Sequence, residues 1–257
     1  MKYGFIGFGN LAKAIYRGLQ NESSISFSYV DKLNNEQEPE KLSNIKELVL
    51  NSDVIWVCVK PQNLEEVLEE LKNLDLKNKI IVSPVAGKSI NYYEKYLGTN
   101  ATIIRIMPNL AMAYGKSVTA YVLNKEESEI SKKVKEDLGK LGKVIEISED
   151  KFDLFTAIFG SGPAFLLEIF KVFKDKMGDL EISEETQNDL LFGLVDGTNA
   201  YFSAFKNEKS ITELVERITS RAGVTEAGLK SFKENNIDKL LGDVIVSAQN
   251  RSKEIGG

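Results

Sequence analysis

The chain contains no histidine and a single cysteine, Cys58, among its 257 residues. Without histidine, a Ser-His-Asp triad, a Cys-His pair and most zinc sites are excluded, and no metal site is expected. Any proton transfer near neutral pH must use another group, water, or a proton that the substrate carries in. One cysteine excludes an intrachain disulfide. Cys58 lies in an apolar strand pattern and reads as a buried small hydrophobe. No internal repeat or low-complexity segment is visible. No apolar run approaches the length of a membrane span, and no signal-peptide pattern precedes the first apolar strand. The net charge of −5 disfavours nucleic acid or an anionic membrane as the main partner. A cytoplasmic protein with no nucleic-acid or membrane partner is expected, long enough for one large domain or two smaller ones.

What is present is concentrated first in Met1 to Gln20. Lys2-Tyr-Gly-Phe-Ile6 reads as a short strand, Gly7-Phe-Gly-Asn-Leu-Ala12 follows at once, and Ala14, Ile15, Gly18 and Leu19 recur at helical spacing. Strand, glycine turn and helix come in the order a dinucleotide site requires. Gly7 permits the tight turn, Gly9 lets backbone approach a pyrophosphate, and Ala12 lets the helix pack against the strand. The free N–H groups at the start of that helix would face the phosphate anion, which makes Gly7, Phe8, Gly9, Asn10 and Leu11 the candidate cofactor-binding turn. An acidic partner is expected about 20 residues further on. Ile25 to Val30 alternates like a second strand and ends at Asp31. That carboxylate suits ribose hydroxyls and favours NADH, whereas the adjacent Lys32 suits a 2′-phosphate. Alternatively, Asp31 is an ordinary turn residue.

The first half continues as strands alternating with helices, which predicts a doubly wound, mostly parallel sheet. Strands are expected at 53–59, 79–83, 101–107, 117–123 and 143–147, and helices at 42–50, 63–74, 90–97 and 126–141. After about residue 150 only helical periodicity remains. The expected division is a dinucleotide-binding domain over 1–150 and an all-α domain over 151–257, joined without a Pro/Gly/Ser-rich linker. Helices are expected at 152–177, bent at Gly160-Ser-Gly-Pro163, and at 183–205, 211–218, 225–232 and 237–253. Phe155, Ile158, Phe159, Phe165, Leu166, Leu167, Ile169, Phe170 and Phe173 cover nearly every face of the first. A helix apolar all round must be buried. A homodimer through the helical domain satisfies that, as does a monomer with this helix at its centre.

In an open parallel sheet, ligands bind beyond the C-terminal strand ends. Candidates there are Val59, Lys60 and Pro61, then Ala86 and Gly87, then Asn109. Lys60 suits ribose or phosphate, or merely starts a helix with Pro61. Ala86 and Gly87 are small enough for a nicotinamide ring to lie on backbone. Asn109 suits the ring's carboxamide, or a turn. In the helical half, Thr219-Ser-Arg-Ala-Gly-Val-Thr225 gathers hydroxyls, small residues and a cation where free helix N–H groups accumulate. It reads as an anion pocket, especially for a carboxylate, or as an N-cap loop in which Thr225 or Ser220 satisfies the helix.

Taken together, these segments resemble the pyrroline-5-carboxylate reductase family. The matching stretches are Gly4 to Ala12, Asp53 to Pro61 with Gln62, Ala86-Gly87, Arg105-Ile-Met-Pro-Asn109, Gly160-Ser-Gly-Pro-Ala-Phe165, Thr219-Ser220 with Gly223 and Thr225, and Asn250-Arg-Ser252. The resemblance implies NAD(P)H-dependent reduction of pyrroline-5-carboxylate to L-proline, and a helical dimer domain, with decamers in some members. It implies that Gly7 to Leu11 hold pyrophosphate, Val59 to Pro61 the ribose region, and Ala86 with Asn109 the nicotinamide end. It further implies that the loop of Ser220, Arg221, Ala222, Gly223, Val224 and Thr225 binds the substrate carboxylate. Thr225 would then hydrogen-bond near the imine nitrogen as the catalytic hydroxyl. A protonated imine is already electrophilic, which suits a chain without histidine. Two departures from the family pattern adjoin the substrate. Arg221-Ala222 replaces Pro-Gly, and Leu110-Ala111 replaces Thr-Pro. A different imino acid as substrate, or a dinucleotide-binding protein of low activity, are the other readings.

Overall fold

The computed structural model describes residues 1–32 and 39–256. In chain order the elements are β1 (Lys2–Ile6), α1 (Asn10–Leu19), β2 (Ser26–Val30), β3 (Glu40–Lys41), α2 (Ile45–Asn51), β4 (Val54–Val57), α3 (Leu64–Leu71), β5 (Ile80–Ser83), α4 (Ile90–Leu97), β6 (Thr102–Met107), β7 (Ser117–Leu123), α5 (Glu129–Lys140) and β8 (Gly142–Glu146). Helices alone follow: α6 (Phe152–Phe155), α7 (Gly162–Met177), α8 (Glu184–Phe205), α9 (Ile211–Ile218), α10 (Val224–Glu234) and α11 (Ile237–Gly256). The chain divides into two compact units, Met1–Ser161 with Ile245–Gly257, and Gly162–Val244. The expected division at residue 150 therefore falls inside the first unit, and the chain's last residues return to that unit.

The first unit is built on one eight-stranded sheet in the order β3-β2-β1-β4-β5-β6-β7-β8. Every pairing is parallel except that of β6 with β7, where Met107 lies opposite Ala120. Strand order reverses between β1 and β4, the switch point at which open α/β sheets bind ligands. β4 is buried along its whole length, as a central parallel strand should be. One face of the sheet is covered by the apolar stripe of α1, with Ala12, Ile15 and Leu19 fully buried. Leu64, Leu68 and Leu71 of α3 cover the other. Helix starts are fixed locally. Asn44, Ser89 and Ser128 each accept the backbone N–H three residues on.

A buried carboxylate ties α5 to the first strand. Asp137 Oδ2 accepts the Tyr3 hydroxyl at 2.7 Å, while Lys133 and Lys140 approach Oδ1 at 3.1 and 3.2 Å. Burial, and then Asp137, push the Tyr3 phenol well above its ordinary pKa, so it remains a donor.

The expected bend near Gly160 is a break with a defined geometry. After α6, residues Thr156–Gly160 form a π-helical turn, closed by Ser161 N–H to the Thr156 carbonyl at 2.9 Å. α7 then restarts at Gly162, with Pro163 in its first turn, where a missing N–H costs nothing.

In the second unit α7 packs on α8, and α8 on α9. Ser183 caps α8, and Ser210 with Glu213 forms a capping box on α9. The expectation that no apolar run approaches a membrane span requires correction. The helical run Glu149–Leu180 contains an 18-residue window of mean hydropathy 1.4, only 11% of it buried within the chain. The aromatic and aliphatic residues that cover all faces of α7 account for this length.

Candidate functional site

Because β1, β2, β4, β5 and β6 run parallel, their C-terminal ends share one edge of the sheet. That edge carries Gly7 to Leu11, Asp31 and Lys32, Val59 to Pro61, Ala86 and Gly87, and Asn109. Gly7 has φ +84°, and a Cβ there would lie 2.8 Å from the Cys58 carbonyl oxygen, so only glycine fits the turn. Its N–H donates to the Val30 carbonyl at 2.9 Å, which seats the turn between the ends of β2 and β4. Above Gly9 the space is open, with nothing within 4 Å of where a Cβ would stand. Gly9 is also the N-cap of α1. It supplies no side-chain acceptor, and no acidic residue occupies the first turn. The first N–H groups of α1 are therefore left for an external anion. This geometry fits a dinucleotide pyrophosphate.

Asp31 Oδ2 accepts the Phe8 N–H at 2.6 Å, so the carboxylate at the end of β2 also fixes the glycine turn. The Phe8 side chain itself is core, stacked on Tyr29 at 4.6 Å. Lys32 is exposed and pairs with Glu66 at 3.3 Å. Lys60 is extended at φ −68°, ψ 150°, and precedes a short 3₁₀ turn, Pro61–Asn63. Burial pushes the thiol of half-buried Cys58 up, towards its protonated form.

Two residues have structural partners that sequence spacing does not reveal. Gly87 has φ +75°, and a Cβ there would fall 2.7 Å from the Ser252 carbonyl oxygen and 2.8 Å from the Gly256 nitrogen. Its small size admits the end of α11, a packing reason for glycine beside the expected contact with a nicotinamide ring. Asn109 caps the 3₁₀ turn Leu110–Tyr114: Oδ1 accepts the Ala111 N–H at 3.1 Å, and Nδ2 donates to the Phe159 carbonyl at 2.9 Å. A proline at 111, as in the family pattern, has no N–H to make the first of these bonds.

Sequence spacing also missed the groups that brace this edge. Arg105, 4% exposed, donates to Glu149 Oε1 at 2.8 Å and lies over the Phe152 ring at 4.5 Å. Glu149 Oε1 also accepts the Ile90 N–H at 2.7 Å, which joins β6 and α4 to the segment before α6. Ser252 donates to Asp153 Oδ1 at 2.6 Å. An arginine inside an otherwise apolar strand was the available signal. Among the described residues no group of three or more His, Cys, Asp or Glu side chains is placed to hold a metal. A cavity of about 630 Å³, lined in part by Lys72, Lys79, Ile80 and Thr102, opens at the N-terminal strand ends, opposite the glycine turn, and is not part of this site.

In the second unit, the 219–225 segment joins α9 to α10. Thr219 turns its hydroxyl back to the Val215 carbonyl at 2.7 Å. Gly223 N–H donates to the Ser220 carbonyl at 3.0 Å and closes a tight turn. A Cβ on Gly223 would fall 2.2 Å from Ser220 Oγ. Gly223 is the N-cap of α10 and has no side chain to cap it, so neither Ser220 nor Thr225 plays the N-cap role open to them from sequence. Ala222 sits at φ +57°, in the left-handed region, and its N–H donates to Glu226 Oε2 at 2.7 Å. Ser220, Arg221, Val224 and Thr225 are exposed.

Comparison with known proteins places these features. Residues 149–255 match a family model described as pyrroline-5-carboxylate reductase dimerisation, and residues 2–87 match one described as NADP oxidoreductase coenzyme F420-dependent. The pyrroline-5-carboxylate reductases of Staphylococcus haemolyticus and Staphylococcus aureus are each 31% identical to the chain, with 99% of this chain and 98% of the relative covered. Among solved structures, the Plasmodium falciparum pyrroline carboxylate reductase with NADP bound superposes with a TM-score of 0.93 at 27% identity, covering 100% of this chain and 98% of that one. The Streptococcus pyogenes 1-pyrroline-5-carboxylate reductase superposes at 0.88 and 25% identity, covering 99% and 98%.

Proposed function

The chain belongs to the pyrroline-5-carboxylate reductase family, and from that premise we propose that it catalyses the NAD(P)H-dependent reduction of L-1-pyrroline-5-carboxylate to L-proline. The observation that carries the reading is shared by its two units. α1 and α10 each begin at a glycine with no side-chain cap. α1 has no acidic residue in its first turn. At α10 the Ala222 and Gly223 N–H groups are taken by Glu226 and the Ser220 carbonyl, so the N–H groups from Val224 onward are the ones offered to an anion. At α1 the anion is the cofactor pyrophosphate, set over the turn of Gly7, Phe8, Gly9, Asn10 and Leu11. The Gly7 and Phe8 N–H groups hold the turn to Val30 and Asp31, and those at the start of α1 face the anion. At α10 it is the substrate carboxylate, bound by the Ser220 to Thr225 loop through the N–H groups that the turn leaves unused.

NAD(P)H, when bound, supplies the hydride. The chain's own residues bind and orient. Val59, Lys60 and Pro61 border the ribose region, and Ala86 and Asn109 the nicotinamide end. Asp31 accepts from the adenosine ribose and favours NADH, with Lys32 the group that would meet a 2′-phosphate. The Thr225 hydroxyl orients the imine nitrogen, and the nitrogen's own proton makes the ring carbon electrophilic. This division of labour needs no histidine, because alignment of hydride donor and carbon supplies most of the rate.

The apolar faces of α7 and α8 are covered by a second copy of the chain rather than by lipid. The protein is then a cytoplasmic homodimer through its helical unit, with dimers free to build larger rings, and it binds neither nucleic acid nor membrane. The test is a steady-state assay with pyrroline-5-carboxylate and, in parallel, a six-membered cyclic imino acid, each with NADH and NADPH. L-proline formed in step with NAD(P)H oxidation is expected. Preference for the six-membered ring would assign a different imino acid, and cofactor binding without imine-dependent oxidation would make the protein a dinucleotide binder.

A further inference from the structure

The turn that opens α10 holds an alanine where backbone geometry asks for glycine. Ser220 to Gly223 form a turn closed by the Gly223 N–H to the Ser220 carbonyl at 3.0 Å, and Ala222, its third residue, has φ +57°. A residue with a Cβ is disfavoured there, which is why glycine usually fills the third position of turns with positive φ. Gly223 is retained for a separate reason, its close approach to Ser220 Oγ, and has an ordinary φ of −92°. Relaxing Ala222 to negative φ would rotate the adjoining peptide groups and redirect the N–H groups that face the carboxylate.

One contact opposes that relaxation. Glu226, in the first turn of α10, accepts the Ala222 N–H through Oε2 at 2.7 Å. A hydrogen bond to an ionised carboxylate is among the stronger ones available at a surface. We propose that Glu226 is a positioning residue for substrate binding: it pins Ala222 in the left-handed conformation and so holds the 220–225 turn in its carboxylate-binding shape. The role belongs to this chain's own sequence, because a glycine at 222 would adopt the same φ without a tie. The proposal rests on the assignment of this loop to the substrate carboxylate.

The test uses the full-length protein and three variants, Glu226→Ala, Glu226→Gln and Glu226→Ala with Ala222→Gly, assayed with pyrroline-5-carboxylate at saturating NAD(P)H. Losing a hydrogen bond to a charged group predicts a KM for the imine raised about tenfold in Glu226→Ala. The kcat is expected to stay within about twofold and the KM for NAD(P)H to be unchanged, since uniform binding alone is lost. Glu226→Gln, which keeps an acceptor oxygen, lies between Glu226→Ala and wild type. Ala222→Gly restores the KM of Glu226→Ala towards wild type. That rescue separates positioning from a general role in capping α10, which glycine at 222 would not repair. Calorimetric binding of L-proline to the same four proteins reads the loop without turnover, and the same order is expected. An unchanged KM and L-proline affinity in Glu226→Ala, or no rescue by Ala222→Gly, overturns the proposal. A wild type that neither oxidises NAD(P)H with the imine nor binds L-proline refutes instead the proposed function on which it rests.

Discussion

The two units of this chain solve the burial problem differently. The sheet unit satisfies itself: Tyr3, Phe5, Ile15, Trp56 and Leu64 are fully buried, and the apolar stripes of α1 and α3 pack on the two faces of the sheet. In the helical unit, none of the described residues of α7, α8 or α10 is buried. Leu167 is 64% exposed, Phe173 50% and Phe192 71%. Exposed apolar surface on this scale marks an interaction surface. The half that carries the glycine turn is structurally complete in one chain, whereas the helical half, proposed to bind substrate, is completed by association. The family model matched over 149–255 is described by dimerisation, which agrees with that division.

The largest effect is expected from Asp137→Ala. It removes a buried carboxylate that satisfies Tyr3 and two lysines, and should cost about 3 kcal/mol of stability in denaturant unfolding. If the sheet unit is self-sufficient, the loss appears at any protein concentration. A loss that vanishes at high concentration would mean that association supports the sheet as well. Next is Thr225→Ala, expected to lower kcat/KM for the imine roughly tenfold, about 1.4 kcal/mol, while cofactor affinity holds. Equal losses in both would remove the separation of roles between the units. Smallest is Asp31→Ala, expected to weaken NADH by roughly fivefold, about 1 kcal/mol for one hydrogen-bonding partner, and NADPH by less. The reverse order would place Asp31 in the turn only, through its bond to the Phe8 N–H.

Most of the sheet unit was legible in the sequence because its signals are local. Periodicity set α1, α3 and α4, the apolar run 53–59 set β4, and glycines in strand-turn-helix order marked the cofactor edge. The two-residue strand β3 was too short to register. What escaped were contacts made over long stretches of chain. The partner of Gly87 is the end of α11, and the partner of Arg105 is Glu149, so neither role is written in the neighbouring residues. Asn109 was legible in part: a turn was one of its two readings, and its bond to the distant Phe159 carbonyl was not visible. Its cap depends on the N–H of Ala111, the very residue at which this chain leaves the family pattern. In the helical unit the helices were legible to within a few residues. The all-round apolar pattern of α7 marked it for burial, but periodicity does not say what covers it. In the 219–225 loop the substitution at Ala222 was visible. The compensating bond to Glu226 was not visible, because it spans a turn whose shape no residue pattern specifies.

Sedimentation equilibrium of the wild-type chain beside Phe173→Glu tests the contrast between the units most directly. The wild type is expected at the mass of a dimer or a larger multiple of 28.7 kDa. A charge on an apolar contact residue should weaken association by at least about 30-fold, leaving a folded sheet unit that still binds cofactor. A wild type that sediments as a monomer at all concentrations, or a Phe173→Glu variant that associates undiminished, would contradict the account.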